Sequence, residues 1–419
     1  MDNTQFITDL LGITEPWFIA RIATNQVRKR VDIWVEHRPE IELPCPRCDE
    51  YCSVYDHGAE REFRHLDLFQ MQTFIHVRLP RIRCKIHGVL QVVSGLGEEG
   101  SGMTYEFERF VLDLAQECSV ESISRLVGIH WHSCWRTVSR AVERGRARKP
   151  HVMPQRFGVD EKSFAKGHKY ETLVYDIDNG TVEYVADNRE QSSLEEYYRQ
   201  FSKEQRAQVQ SVAMDMWDPY IAATKAYIPD AEKKIVFDRF HVMKYVVDAV
   251  DKVRKDEHAT LKAQGDDVLK GTKYLWLWSQ ENVPQWRKEE FDSLRNRDLK
   301  VCKAWAIKEN FRNMWEYRYE GCMRKYFDEW YWWATHSRLD PIINAAKTLK
   351  RHIDNVVTYA RHRITNALGE SLNAKIEKVK RFACGYRNRE HYKTAIYFHC
   401  GGLDLYPRRK RHALQIIGA

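Results

Sequence analysis

Three acidic residues of this 419-residue chain sit where the surrounding pattern would aim them at one point. Asp160 ends the run Phe157-Gly158-Val159, and Asp215 ends Val212-Ala213-Met214. Both runs are short and apolar, as expected of buried strands. Glu370 lies in the helix-like run Thr365–Asn373. Carboxylates brought together repel one another unless cations neutralise them. Two divalent ions about 3.5–4 Å apart, held by such oxygens, activate an attacking oxygen and stabilise the leaving oxygen of a phosphodiester. Glu161, Asp218 and Asp238 are competing acids. Strand alternation should turn Glu161 away from Asp160, and Asp218 falls one helical turn beyond Asp215.

A second set of residues points to a different metal. Cys45-Pro46-Arg47-Cys48 and Cys84-Lys85-Ile86-His87 are two short knuckles, each placing two soft ligands on one turn. Two knuckles complete a tetrahedron around one Zn²⁺, and with four protein ligands no position stays open for water, so the site is structural. Cys52, which could replace His87, and His57 and His65 are reserves. Ten cysteines in a long chain without a visible export signal fit a reducing compartment, where such pairs bind metal more often than they form disulfides.

Between these sets lies a helical pair. Val120–Ile129 reads as a short helix closing on Gly128, and Trp131–Val142 as the helix that follows. Ile123, Leu126, Val127, Ile129, Trp135 and Val138 have the apolar spacing that packs two crossed helices as a helix-turn-helix. His132, Ser133, Arg136 and Arg140 would then face outward toward a DNA major groove. The charge distribution agrees with a polyanionic partner. The chain's formal charge is +8, and residues 341–419 alone carry 16 basic and 5 acidic side chains, among them Arg408-Arg409-Lys410-Arg411. The last dozen residues read equally as a solvated tail. No run of about 18 apolar residues and no secretory leader is visible, so a cytoplasmic, nucleoid-associated protein without membrane contact is expected.

Elements must position these groups. The pattern predicts a helix near Thr4–Leu11, a strand at Val31–Val35, short strands through residues 41–95, helices over 104–145 and a linker at Arg146–Pro154. A strand ending at Asp160 follows, then strands Tyr170–Tyr175 and Thr181–Val185 joined by Asp178-Asn179-Gly180, a tight-turn signal. A helix from Ser192, a strand at Gln208–Asp215, a helix after Pro219 and a strand at Lys234–Asp238 complete an α/β core with a mixed sheet. The 155 positions from Asp215 to Glu370 exceed a simple connection, and residues from about 245 to 345 read as an all-helical insertion. Eight of the thirteen tryptophans lie there, between Trp276 and Trp333. An aromatic-packed core is the expectation, with stacking on DNA the alternative. The resulting division is 1–98 for the N-terminal segment and zinc module, 99–150 for the helix-turn-helix and linker, and 151–419 for the catalytic domain.

The stretches Val159-Asp160-Glu161-Lys162-Ser163, Ala213-Met214-Asp215-Met216-Trp217, Phe237-Asp238-Arg239-Phe240-His241 and Arg363-Ile364-Thr365-Asn366-Ala367, with Glu370, Asn373 and Lys375, together with both knuckles and the helical pair, resemble the DDE transposases of bacterial insertion sequences, specifically the ISL3 family. The resemblance runs nearly the whole length. It implies a ribonuclease-H-like core in which Asp160, Asp215 and Glu370 bind two Mg²⁺ (or Mn²⁺) ions, with the N-terminal zinc-ribbon-like module and helix-turn-helix ahead of it. It also implies recognition of terminal inverted repeats, strand cleavage at each element end and attack of the freed 3′-hydroxyl on target DNA. Asp238 and His241 look like an Asp-x-x-His element found near the active site in several such groups, with Lys244 one turn on. Asn366 and Asn373 fall near Glu370, Asn373 on its helical face, and Lys375 is placed as a DNA contact. Holding two ends implies at least a homodimer. A structure-specific nuclease on the same fold and a non-catalytic DNA-binding regulator are the alternatives.

Overall fold

In the computed structural model, residues 3–165, 169–364 and 367–409 are described. They form two compact units. One holds residues 3–150 with 382–385 and 403–409, the other 151–381 with 386–402. No described helix is long and apolar enough to cross a membrane.

The first unit opens with α1 (Asn3–Leu11), β1 (Trp17–Asn25) and β2 (Arg30–His37), followed by the two-residue strands β3 (Leu43–Pro44) and β4 (Tyr51–Cys52). Strands β5 (Val54–Leu68) and β6 (Met71–Cys84) form a long hairpin, and β7 (Gly88–Gln91) pairs back onto β6. The main sheet runs β1-β2-β6-β5. Where only short strands were expected, β3, β4 and β7 are short but β5 and β6 run to 15 and 14 residues. Charged side chains such as those of Val54–Glu62 hide a strand from an apolar count, because one face of this sheet is solvated. Strand β1 was not foreseen at all.

Three helices complete the unit. Thr104 caps α2 (Tyr105–Glu117), Ser119 caps α3 (Val120–Val127), and Gly128, in the left-handed region at φ 66°, ends α3 before α4 (Trp131–Arg148). Helix α4 continues through residues expected to be linker. Arg144 and Arg148 donate to the carbonyls of Leu405 and Tyr406 at 3.1 and 2.7 Å, and Tyr406 Oη donates to Asp113. The stretch 403–409 is therefore a strap on this unit, not a free tail. Arg408 pairs with Asp404 and Arg409 with Glu106, while Lys410 and Arg411 lie outside the described residues.

The second unit is built on β8 (Arg156–Ala165), β9 (Lys169–Asp176), β10 (Thr181–Asp187), α5 (Gln191–Arg199), α6 (Lys203–Ala207), β11 (Ser211–Met214), α7 (Asp218–Tyr227), α8 (Ala231–Lys234) and β12 (Ile235–Phe237). Its sheet runs β10-β9-β8-β11-β12, with β8, β9 and β10 antiparallel and β8, β11 and β12 parallel. Strand β8 does not stop at Asp160 but runs past it. At the turn into β10, Asp176 accepts the N–H groups of Asp178 and Asn179, and Gly180 supplies the positive φ.

A helical region follows: α9 (Arg239–Ala263), α10 (Lys273–Leu277), α11 (Lys288–Arg295), α12 (Lys300–Arg312), α13 (Glu320–Thr335), α14 (Asp340–Arg351), α15 (Ile353–Val357) and α16 (Tyr359–His362). Trp276, Trp315 and Trp330 are fully buried in it, and Lys308, also buried, donates to the carbonyls of Trp276 and Trp278 that end α10. Only Trp286 and Trp332 of the insertion's tryptophans are strongly exposed among the described residues, so this set is chiefly core. Helices α17 (Ala367–Phe382) and α18 (Arg389–Cys400) close the element order.

Gly158, two residues before Asp160, lies under the ring of Tyr175 on β9, and a Cβ there would overlap that ring. Gly158→Ala should lower the stability of the second unit by about 1–3 kcal/mol, the usual range for overpacking. An unchanged denaturation midpoint would refute this packing.

Candidate functional site

Asp160 lies midway along β8, and both its oxygens are engaged. Oδ1 accepts the N–H of Glu161 at 2.7 Å, and Oδ2 accepts Nδ2 of Asn373 at 2.5 Å. Asp215 follows the last residue of β11, the parallel neighbour of β8, so the two carboxylates emerge on adjacent strands. They line one cleft of 310 Å³ with Glu161, Arg189, Trp217, His241 and Lys244. Glu161, expected to point away, shares the cleft because its carboxylate reaches back to Arg189 at 3.2 Å. Asp218 instead starts α7 and is exposed.

The sequence DRFH folds as a helix start. Asp238 is the N-cap of α9, and His241 stands one turn in. The His241 imidazole contacts Asp215 through Nδ1 and lies 3.7 Å from Asp238. Burial raises the Asp238 carboxyl above the usual range. The N–H groups of Phe240 and His241 oppose that rise, and the charges of Glu370 and Asp160 add to it. Burial likewise pushes the His241 imidazole down, against the pull of Asp160.

Glu370 sits exposed in the first turn of α17 and is not part of the cleft lining, but its charge is felt at both Asp238 and His241. Helix α17 is tied to β8 by Asn373 on Asp160, by Lys162 on Glu377 at 3.0 Å and by Lys380 on the Ser163 carbonyl at 2.9 Å. Asn373 is one turn from Glu370, so these bonds bring the third acid toward the first. Lys375 is exposed on α17 beside Lys378 and near His399, whose imidazole is pushed down to about 4, chiefly by burial. Thr365 and Asn366 lie outside the described residues.

The donor set suits divalent cations. Asp238 Oδ2 is buried without a hydrogen-bond partner among the described residues, and the His241 imidazole beside it is pressed against the Asp215 carboxylate. Oxygen donors supplemented by an imidazole fit hard or borderline ions. Arg189 and Trp217 escaped sequence reading. Trp217 stood two residues past Asp215, but nothing in the pattern marked Arg189. Its guanidinium stacks on Tyr170 and Trp217, 4.5 and 4.8 Å from the ring centres.

In the first unit, the Cys45 and Cys48 turn joins β3 to β4, and the Cys84 and His87 turn joins β6 to β7. Cys45 Sγ to His87 Nδ1, Cys48 Sγ to Cys84 Sγ and Cys84 Sγ to His87 Nδ1 measure 3.7, 3.7 and 3.6 Å. Tetrahedral zinc with sulfur ligands places donors about 3.7 Å apart, so the cluster fits that ion. The His87 N–H, the largest influence, helps pull the Cys84 thiol down to about 6. Cys52 turns to the Glu50 carbonyl, His57 is exposed and His65 bonds Thr104. A further group, Asp32, Glu62 and His76, is already bridged by Arg30, which lies 2.6 Å from Asp32 and also pairs with Glu62.

On α4, His132 and Arg136 are exposed and Ser133 is half-buried. Arg140, expected to face a groove, instead bonds Glu108 of α2 at 3.1 Å, with Arg144 on its other oxygen at 3.1 Å. Glu108 is 1% exposed, and a buried carboxylate demands such partners.

The chain matches the DDE model of ISL3, described as a transposase, over residues 157–396. Residues 42–87 match the zinc-finger of transposase IS204/IS1001/IS1096/IS1165, and residues 97–142 the helix-turn-helix domain of transposase family ISL3. It is 26% identical to the transposase for insertion sequence element IS1001 of Bordetella parapertussis, over 88% of this chain and 91% of that protein. It is also 26% identical to the transposase for insertion sequence element IS1557 of Mycobacterium tuberculosis, over 93% of each.

Cys84→Ser should reduce zinc from about one ion per chain to near none and melt the module around it, since binding free energy there is folding free energy. Elemental analysis of the purified protein, with and without the substitution, reads this directly, and a zinc-free parent protein would sink it.

Proposed function

The chain belongs to the ISL3 family of transposases and is an enzyme acting on DNA; from that premise we propose that it binds the terminal inverted repeats of its insertion sequence, cleaves the element ends and joins their 3′-hydroxyls to target DNA. The core is ribonuclease-H-like in this reading. Its support is the sheet order β10-β9-β8-β11-β12, in which Asp160 lies on the central strand and Asp215 at the end of its parallel neighbour.

The observation that carries the proposal is the shared cleft of Asp160 and Asp215, with α17 locked to Asp160 through Asn373. Asp160, Asp215 and Glu370 would hold two Mg²⁺ or Mn²⁺ ions. When bound, such ions supply the charge that activates an attacking oxygen and stabilises a departing one. The chain's own groups orient the rest. Asn373 and the Glu161 N–H fix Asp160, His241 and Asp238 stand behind Asp215, and Lys244 and Arg189 offer positive charge to a phosphate entering the cleft. Cys45, Cys48, Cys84 and His87 would hold one structural Zn²⁺. His132, Ser133 and Arg136 would read the repeats in a major groove, and Lys375 would contact backbone. Two ends call for a homodimer, and the substrate places the protein on the nucleoid in the cytoplasm.

Asp160→Asn, Asp215→Asn and Glu370→Gln should each abolish cleavage and joining while leaving binding to the repeats near normal, because the amide keeps shape and loses the charge that holds a divalent ion. The assay is incubation with labelled terminal repeats and Mg²⁺. Normal nicking by Asp215→Asn would remove that residue from the triad, and cleavage without strand-transfer products in the parent protein would make it a nuclease instead.

A further inference from the structure

We infer that two turns at one end of the N-terminal sheet, Gln26–Lys29 and Phe69–Gln70, form a second contact to double-stranded DNA beside α4. Arg28 and Lys29 would lie on phosphates, with Phe69 against the minor groove flanking the site that α4 reads. This rests on the reading of α4 as the DNA-reading helix.

The placement follows from register. Arg30 at the start of β2 pairs with Gln72 at the start of β6, and Gln72 N donates to the Lys29 carbonyl at 2.8 Å, so the β1–β2 and β5–β6 turns lie side by side. The same end abuts the turn between α3 and α4. Any Cβ at Gly128 would run into the Gln72 side chain, and Arg64 of β5 donates to the Val127 carbonyl at 3.3 Å. His132 and Arg136 begin immediately beyond that turn.

Chemistry and exposure agree with register. Val27 is 94% and Phe69 86% exposed, and Gln26, Arg28 and Lys29 are exposed with them. The neighbouring acids are already engaged in ion pairs, Asp67 with Arg64 and both Asp32 and Glu62 with Arg30. That leaves Arg28, Lys29, Arg125 and Arg136 exposed in this unit, none of which forms an ion pair among the described residues. Phe69 and Gln70 also occupy left-handed backbone, at φ 51° and 63°. A two-residue hairpin turn of this kind favours Asn-Gly, and a bulky ring there is held at a cost to the fold. Such strain at an exposed position points to a use outside the chain. An apolar side chain flanked by cations is what minor-groove contacts employ.

The test compares three variants of the full chain on a duplex carrying the terminal inverted repeat of its element. Arg28→Ala with Lys29→Ala should lower the slope of log affinity against log salt by roughly 1.8, about 0.9 per phosphate contact. It should also shorten the hydroxyl-radical footprint on one flank. Phe69→Asn with Gln70→Gly should raise the thermal midpoint of the first unit, because the turn is relieved, yet weaken binding roughly five- to tenfold, the size of one groove contact. A purely structural turn predicts the raised midpoint with binding unchanged. Arg136→Ala serves as the separate measure of α4. Unchanged slope, footprint and affinity in both turn variants, beside weakened binding by Arg136→Ala, would overturn the inference and leave α4 in place. Losses in the turn variants alone would keep the turns as a DNA contact and remove α4 from recognition. No effect in any variant would overturn both.

Discussion

A hydrogen bond between side chains 213 positions apart, from Asn373 to Asp160, is the constraint on which the catalytic unit depends. Asp160 belongs to a strand made early and Glu370 to a helix made after the whole insertion. No local propensity can set the distance between them. Helix α17 is fixed by polar contacts to β8 at Asp160, Lys162 and Ser163, so its first turn cannot rotate without breaking them. The insertion, with its buried tryptophans, then has only to return the chain to that point, and its length is free of any catalytic requirement.

Crowded negative charge is the opposing term. Asp160, Asp215, Asp238, Glu161 and Glu370 share a small region, and the proton affinity of Asp238 is raised first by its burial and then further by the charges of Glu370 and Asp160. The fold answers by exposing Glu370, by setting Arg189 against Glu161 and by pressing His241 onto Asp215. A site that is costly when its charges are unbalanced is also one that gains most from cations, because the same repulsion becomes attraction toward a positive ion.

Legibility in the sequence followed range. The knuckles Cys45–Cys48 and Cys84–His87 could be read because ligand spacing is a local property, and their sulfur and nitrogen atoms do come together. The helix-turn-helix announced itself through Gly128 and apolar spacing. The strands ending near Asp160 and Asp215 were visible as apolar runs, and the turn at Asn179-Gly180 by its residue types. What escaped needed a partner from elsewhere. Arg140 looked outward-facing until Glu108 of α2 claimed it. Arg408 and Arg409 looked like free charge until Asp404 and Glu106 met them. The hairpin of β5 and β6 was hidden by polar residues that its solvated face tolerates, and Arg146–Arg148 read as linker because their helix is supported by carbonyls of residues 405 and 406.

That last support has a consequence for the order of synthesis. The strap of residues 403–409 belongs to the unit made first but emerges from the ribosome after the unit made second. Helix α4 therefore lacks the acceptors for Arg144 and Arg148 throughout translation of the catalytic unit, and it acquires them only once that unit has been produced. Completion of the helix-turn-helix is in this way coupled to completion of the catalytic unit, so a chain interrupted within the catalytic unit leaves its DNA-binding half unfinished as well.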